Sequence, residues 1–267
     1  MLALFAQQQK IAWTDQEKPL LTRIQGLRGL PDDQRPAATR DLALKIRALP
    51  KTAGKETLAI QLANLVTEGD PGRETLQETA TTLADALREQ PAANDDPYIV
   101  LAQLVRYEHV TASLADARFR NAMAALEAED EQRQHLDFTL TDLTGKRWTL
   151  RQLGGKVALV NFWATWCPPC RNEMPDLDAL YRQFRDKGFV VLAISDEDRE
   201  KVVPFLGEHP VSYPVLLDPG RRVNEQFAVH GIPKSFVYDR SGRLVAQSID
   251  MRTRNQFLEM LSRAGLR

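Results

Sequence analysis

The sequence predicts two unlike halves: an all-α first half and a mixed α/β second half. Three observations predict it. Up to about residue 130, apolar residues recur three and four apart between short breaks, which is the period of amphipathic helices. From Leu136 onward, apolar runs of strand length alternate with helical stripes, as in a sheet whose strands are buried on both faces. Between the two lies the charge run Glu127–Gln134, EAEDEQRQ. It reads as a solvated helix end and linker, dividing a helical domain of residues 1–134 from a second domain of 135–267. Residues 136–267 are therefore expected to fold without the helical half.

In the first half, Leu42, Leu44, Ile46 and Leu49 form a stripe that stops before Pro50, since the residue ahead of a proline disfavours helix. Leu58, Leu62, Leu65 and Val66 form the next, closed by Gly69-Asp70-Pro71-Gly72. Leu76, Thr79, Leu83 and Leu87 follow, up to Pro91. Asp95-Asp96-Pro97 is a helix-start signal, ahead of Tyr98, Leu101, Leu104 and Val105. Leu114, Ala117, Phe119, Met123 and Leu126 complete the set. No fixed repeat length emerges, so the half is a helical bundle or a short helical solenoid. It holds stripes and alanine-rich faces but no catalytic cluster. Its expected work is docking a partner through these helices, or oligomerisation.

In the second half, Phe138, Leu140 and Leu143 alternate, Thr144-Gly145-Lys146 turns, and Trp148-Thr149-Leu150 returns as a hairpin. Val157–Phe162 is a buried strand, and Met174, Leu177, Leu180 and Tyr181 mark the helix after it. Lys187-Gly188 ends that helix, and residues 189–194 are a second fully apolar strand. Arg199–Glu208 is a helix that Pro204 must start or kink. A short strand at Val215–Leu217 and a short helix at 223–227 precede a strand at 235–238. Ser241-Gly242 turns into a strand over 244–249, and a helix around Phe257, Met260 and Leu261 closes the chain.

Composition narrows the function. The chain has 267 residues, enough for two domains, and is 43% hydrophobic. With 27% charged residues and a net charge of −1, nucleic acid is not an expected partner. No apolar run approaches the ~18 residues that span a bilayer. Met1–Ala6 is apolar but lacks a basic flank. It is either the tail of a signal peptide whose upstream part is missing, or a frayed terminus.

The chain's two cysteines are Cys167 and Cys170, separated by Pro168-Pro169 at the point where the buried strand gives way to the helix. A helix N-terminus offers unpaired amides and the positive end of the macrodipole, and C-x-x-C thiols so placed become nucleophiles near neutral pH. With no third thiol, the pair is a redox couple and not a staple. The alternative is half of a zinc site. It would need two more ligands from His109, His135, His209 and His230, which form no paired spacing. No metal and no other cofactor is expected.

Phe162-Trp163-Ala164-Thr165-Trp166-Cys167-Pro168-Pro169-Cys170, then Glu173-Met174-Pro175, then Gly231-Ile232-Pro233 before a strand ending in Asp239, carry a resemblance. Residues from about Leu136 onward resemble a thioredoxin-like domain of the TlpA/ResA-like thiol-disulfide oxidoreductases. The resemblance does not cover the helical half. It implies that Cys167, nearer the helix tip and solvent, attacks, and that the deeper Cys170 resolves the mixed disulfide. Pro233 matches the cis-proline facing the cysteines, with the Ile232 backbone free to pair with a substrate strand. Trp166, Pro168 and Pro169 border the site as further substrate contacts. Glu173, one turn past Cys170, matches a glutamate that relays protons to the pair; the bland alternative is an acid favoured by the helix N-terminus. As a negative carboxylate it would raise the Cys170 pKa. Asn161 stands where thioredoxin has a buried aspartate, and Lys234 where many relatives carry threonine, a change expected to alter the substrate's charge preference.

The implied activity is reduction of protein disulfides outside the cytoplasm, as in the periplasm or cell envelope, with cytochrome c maturation as a setting. Its partners are protein dithiols and disulfides, and an upstream electron donor, membrane-held or soluble. Two other readings stay open. One is a redox-sensing, partner-binding module, which would show an exposed apolar patch on the helices. The other is a peroxiredoxin-like peroxidase, weakened because its isolated, threonine-assisted cysteine is replaced by the C-x-x-C pair.

Overall fold

The computed structural model describes residues 11–267, so the apolar Met1–Ala6 lies outside the described residues. The chain divides into two units. One runs up to Val66 and resumes over Pro71–Arg120; the other comprises Thr67–Asp70 and Asn121–Arg267.

The first unit is built from α1 (Glu17–Gly26), α2 (Arg35–Ala48), α3 (Ala53–Leu65), α4 (Gly72–Glu89) and α5 (Asp96–Tyr107), with the start of α6 (Ala117–His135). α1 packs on α2 and α3, α2 on α3 and α4, α3 on α4 and α5, and α4 on α5. Packing mainly on the next one or two helices is the nearest-neighbour pattern of a helical solenoid. The stripes read from the sequence supply the core: Leu42, Ile46, Leu58, Leu62, Leu83 and Leu101 are fully buried. Thr52 caps α3 by accepting from the Lys55 amide at 3.0 Å. The buried Lys55 ammonium is satisfied by the Arg47 and Leu49 carbonyls and by Glu89. Asp95 occupies the N-cap of α5, but its side chain makes no capping bond.

The charge run Glu127–Gln134 ends the last helix before the hairpin, as expected, but as helix and not as a separate linker. It is the second part of α6, an unbroken helix. Its charges are spaced to favour one: Arg133 pairs with Glu129 at 2.7 Å and with Asp130 at 3.3 Å, and His135 with Glu131 at 2.9 Å. Nor is it fully solvated, since Arg133 is buried, its Nε donating to the Phe227 carbonyl at 2.9 Å.

In the second unit, β1 (Thr139–Thr141) and β2 (Arg147–Thr149) form the expected hairpin. The main sheet has strand order β5-β4-β3-β6-β7, with β3 at Val157–Phe162, β4 at Phe189–Ser195, β5 at Val215–Leu217, β6 at Lys234–Tyr238 and β7 at Leu244–Gln247. β3 runs parallel to β4 and β4 to β5, while β6 is antiparallel to β3 and to β7. α7 (Pro168–Phe184), α8 (Arg199–Glu208), α9 (Arg222–Gln226) and α10 (Arg254–Arg263) complete the unit. Two apolar cores flank the sheet. Val157, Leu159, Leu177, Leu180, Phe257 and Leu261 fill one, and Ala158, Val160, Phe162, Phe227 and Phe236 the other. Alternate residues of β3 serve opposite cores, so every position on it is buried. Pro204 lies inside α8 and not at its start.

Candidate active site

β3 leads directly into the site. Past Phe162, the Trp163 amide donates to the Ile194 carbonyl at 3.0 Å, extending the ladder to β4 by one residue. The chain then turns sharply: the Cys167 amide donates to the Ala164 carbonyl at 3.2 Å. Cys167 is the N-cap of α7, in extended conformation, and Pro168-Pro169 open the helix, where no amide donor is needed. Cys167 and Cys170 are joined in a disulfide.

The Cys170 amide donates to Cys167 Sγ at 3.2 Å, so the cap sulfur already faces a first-turn donor of the helix. A thiolate at this cap position would face the same amide. The two sulfurs differ less in depth than expected. Cys167 is 2% exposed and Cys170 0%, and both sit in the same apolar cluster. Solvent meets Trp166, 67% exposed, and Pro168 instead.

Glu173 lies one turn along α7 and is 2% exposed, so it is no surface acid of the helix start. Its Oε1 accepts from Asn161 Nδ2 at 2.8 Å and its Oε2 from the Arg252 amide at 3.1 Å. Asn161 Nδ2 also donates to Ser235 Oγ on β6 at 3.1 Å. Burial pushes the Glu173 carboxyl up to about 8, against the lowering effect of these two bonds. At neutral pH it therefore holds its proton, which corrects the expectation of a negative carboxylate beside Cys170.

The Ile232–Pro233 bond is cis. Pro233 is buried, and Ile232 packs against the same apolar cluster that contains Cys167 and Cys170. Trp163 is buried and packs on Phe205 of α8, ring centroids 5.7 Å apart. Lys234 does not present its charge outward. Its Nζ donates to the Ser248 carbonyl at 2.5 Å and lies over the Phe236 ring. Burial, then Arg133 and Arg252, push it down to about 7.

One contact was not visible in the sequence. Glu197, between β4 and α8, is 8% exposed, and both its oxygens accept from Thr165, from the amide at 2.6 Å and from Oγ1 at 2.9 Å. The acidic run Asp196-Glu197-Asp198 reads as polar loop, and no spacing rule joins it to a residue 32 positions earlier. Among the described residues no group of His, Cys, Asp and Glu is placed to hold a metal ion.

Residues 132–247 match the AhpC/TSA family. The thiol-disulfide oxidoreductase ResA of Bacillus thuringiensis (strain Al Hakam) is 37% identical over 121 residues, 45% of this chain and 70% of the relative. ResA of Bacillus subtilis (strain 168) is 33% identical over 128 residues, covering 48% of this chain and 72% of its own. Among solved structures, a thioredoxin-family thiol:disulfide interchange protein from Chlorobium tepidum TLS aligns with a TM-score of 0.44. That alignment has 30% identity and covers 48% of this chain and 92% of the other.

Proposed function

The chain belongs to the ResA thiol-disulfide oxidoreductase family, and on that premise we propose that Cys167 opens a substrate disulfide and Cys170 resolves it. The observation that carries this assignment is the Cys170 amide directed at Cys167 Sγ at the start of α7. The Cys167 thiolate attacks one sulfur of a protein disulfide, forming a Cys167–substrate disulfide and expelling a substrate thiolate, which takes up a proton. Cys170 then loses its proton and attacks Cys167 Sγ, re-forming the intramolecular disulfide and expelling the second substrate thiolate. The substrate gains two electrons and two protons, and the pair is oxidised by the same amount.

The carboxylate fraction of Glu173, the minor form at neutral pH, takes the Cys170 proton in the second step. With its pKa pushed up to about 8, it exchanges protons near neutral pH. Trp166 and Pro168 offer the exposed face of the site, while Pro169, Ile232 and Pro233 line the approach for an extended substrate segment. A soluble or membrane-held dithiol restores the reduced pair and is itself oxidised to a disulfide. Following the resemblance, the direction is reduction, the compartment lies outside the cytoplasm, and cytochrome c maturation is the setting. Among the described residues no helix is long and apolar enough to cross a membrane. The helical unit, 1–134 on the sequence reading, serves to dock a partner.

The peroxidase reading asks for a threonine hydroxyl directed at the attacking cysteine. Thr165, the hydroxyl nearest in sequence to Cys167, donates to Glu197. Insulin reduction by the full chain, with a dithiol as donor, tests the proposal. Cys167→Ser should abolish turnover, and Cys170→Ser should accumulate a mixed disulfide with substrate. Trapping through Cys170 in the Cys167→Ser protein would reverse the two roles.

A further inference from the structure

We infer that Glu197 is a positioning residue for the redox pair, acting through Thr165 on the turn that delivers Cys167 to the start of α7. This deepens the redox role proposed above and rests on it. The turn Ala164–Cys167 makes one hydrogen bond of its own, from the Cys167 amide to the Ala164 carbonyl. The Thr165 amide is left over and finds Glu197 Oε2 at 2.6 Å, while Thr165 Oγ1 reaches Oε1 at 2.9 Å. One carboxylate thus takes both donors of one turn residue, a geometry that fixes orientation as well as distance.

Glu197 is itself anchored. Its amide donates to Ser195 Oγ at 3.3 Å, and the Ser195 carbonyl accepts from the Asp218 amide at 2.8 Å. The cysteine turn is therefore tied to the end of β4 at two points, Trp163 through the Ile194 carbonyl and Thr165 through Glu197. Trp166 next to it is 67% exposed and adds little packing. Other ionisable groups on the neighbouring elements include Arg171 and Glu173 of α7, Asp196 and Asp198 flanking Glu197, of which Asp196 pairs with Arg221, and Lys234 of β6.

The carboxylate is held on Thr165, two residues before Cys167 along the chain. A negative neighbour opposes the thiolate, which keeps the thiol less acidic, more nucleophilic per thiolate, and the pair more reducing.

The test uses the reduced full chain, following alkylation rate against pH, the reduction potential against glutathione, and the rate of mixed-disulfide formation per thiolate. Glu197→Gln keeps an acceptor for the amide and a donor for Oγ1 while removing the charge. It should lower the Cys167 pKa and raise the potential, with the rate per thiolate within about twofold. Glu197→Ala releases the turn and should cut the rate per thiolate by about tenfold. A rate per thiolate within about twofold of the parent in the Ala variant would overturn the inference, and so would unchanged pKa and potential in the Gln variant, the arm that decides if the Ala variant fails to fold. A parent protein that exchanges no thiols with disulfides would instead remove the redox reading beneath it.

Discussion

Asn161 Nδ2 lies 2.8 Å from Glu173 Oε1, joining the strand that enters the cysteine turn to the helix that leaves it. A second carboxylate in place of the amide would have to share a proton with Glu173. The neutral amide avoids that coupling and donates to the acid. The Arg252 amide holds the other oxygen at 3.1 Å. Glu173 is thus fixed in direction by two donors and still kept protonated by burial.

That protonation has a sign in the stability of the fold. The ordinary glutamate value is 4.5 and the folded value is about 8. Below pH 4.5 both states hold the proton. Between there and pH 8 the folded state keeps a proton that the unfolded state has lost, so stability falls as pH rises, and above 8 this contribution levels off. The fall should be on the order of 3–5 kcal/mol for so buried a group. In Glu173→Gln this slope disappears: the stability of the variant stays level between pH 5 and pH 8 while that of the parent falls, by urea unfolding at both. It should also slow release of the mixed disulfide. Parallel pH profiles for parent and variant would show that Glu173 ionises freely in the fold.

Lys234 contributes with the opposite slope. Its ordinary value is 10.5 and its folded value about 7. Below pH 7 the ammonium is charged in both states, and its burial cost is present in full. From 7 to 10.5 the unfolded state binds the extra proton, so stability rises with pH. Lys234→Met should therefore stabilise the protein more at pH 6 than at pH 9.5, by about 1–3 kcal/mol once its half-buried position is allowed for. Because the ammonium donates to the Ser248 carbonyl, the same change should leave KM for acidic and basic peptide disulfides in the same ratio. A shifted ratio would return Lys234 to substrate selection.

The change of period near Leu136 and the apolar runs of β3 and β4 were legible in the sequence because strand burial on two faces leaves an unbroken apolar signature. So was the placement of Cys167 and Cys170 at a helix start, which Pro168-Pro169 marks. Three features were not. The charges of Glu127–Gln134 resemble a linker in composition, yet at spacings of three and four they stabilise α6. The protonation of Glu173 depends on what covers it, which spacing along α7 does not record. The Glu197–Thr165 contact joins loops that only the β3–β4 pairing brings together.

The last prediction concerns where the redox unit begins. We propose that it starts near Asn121, inside α6, and not at residue 135. The latter part of α6 is tied to the sheet: Tyr238 Oη donates to the Arg133 carbonyl at 3.1 Å, Gln134 Nε2 to the Gly242 carbonyl at 2.9 Å, and the Leu244 amide to Gln134 Oε1 at 2.8 Å. A fragment of 136–267 would leave the Phe227 carbonyl and the buried Tyr238 hydroxyl without these partners, at about 1–3 kcal/mol each. It would also uncover the Phe236 ring that Arg133 overlies. A fragment of 121–267 should therefore unfold cooperatively and reduce insulin. A fragment of 136–267 should be less stable by about 3–6 kcal/mol and prone to aggregate. Equal denaturation midpoints for the two fragments would show that α6 adds nothing to the redox unit, and would restore the boundary to the charge run's end.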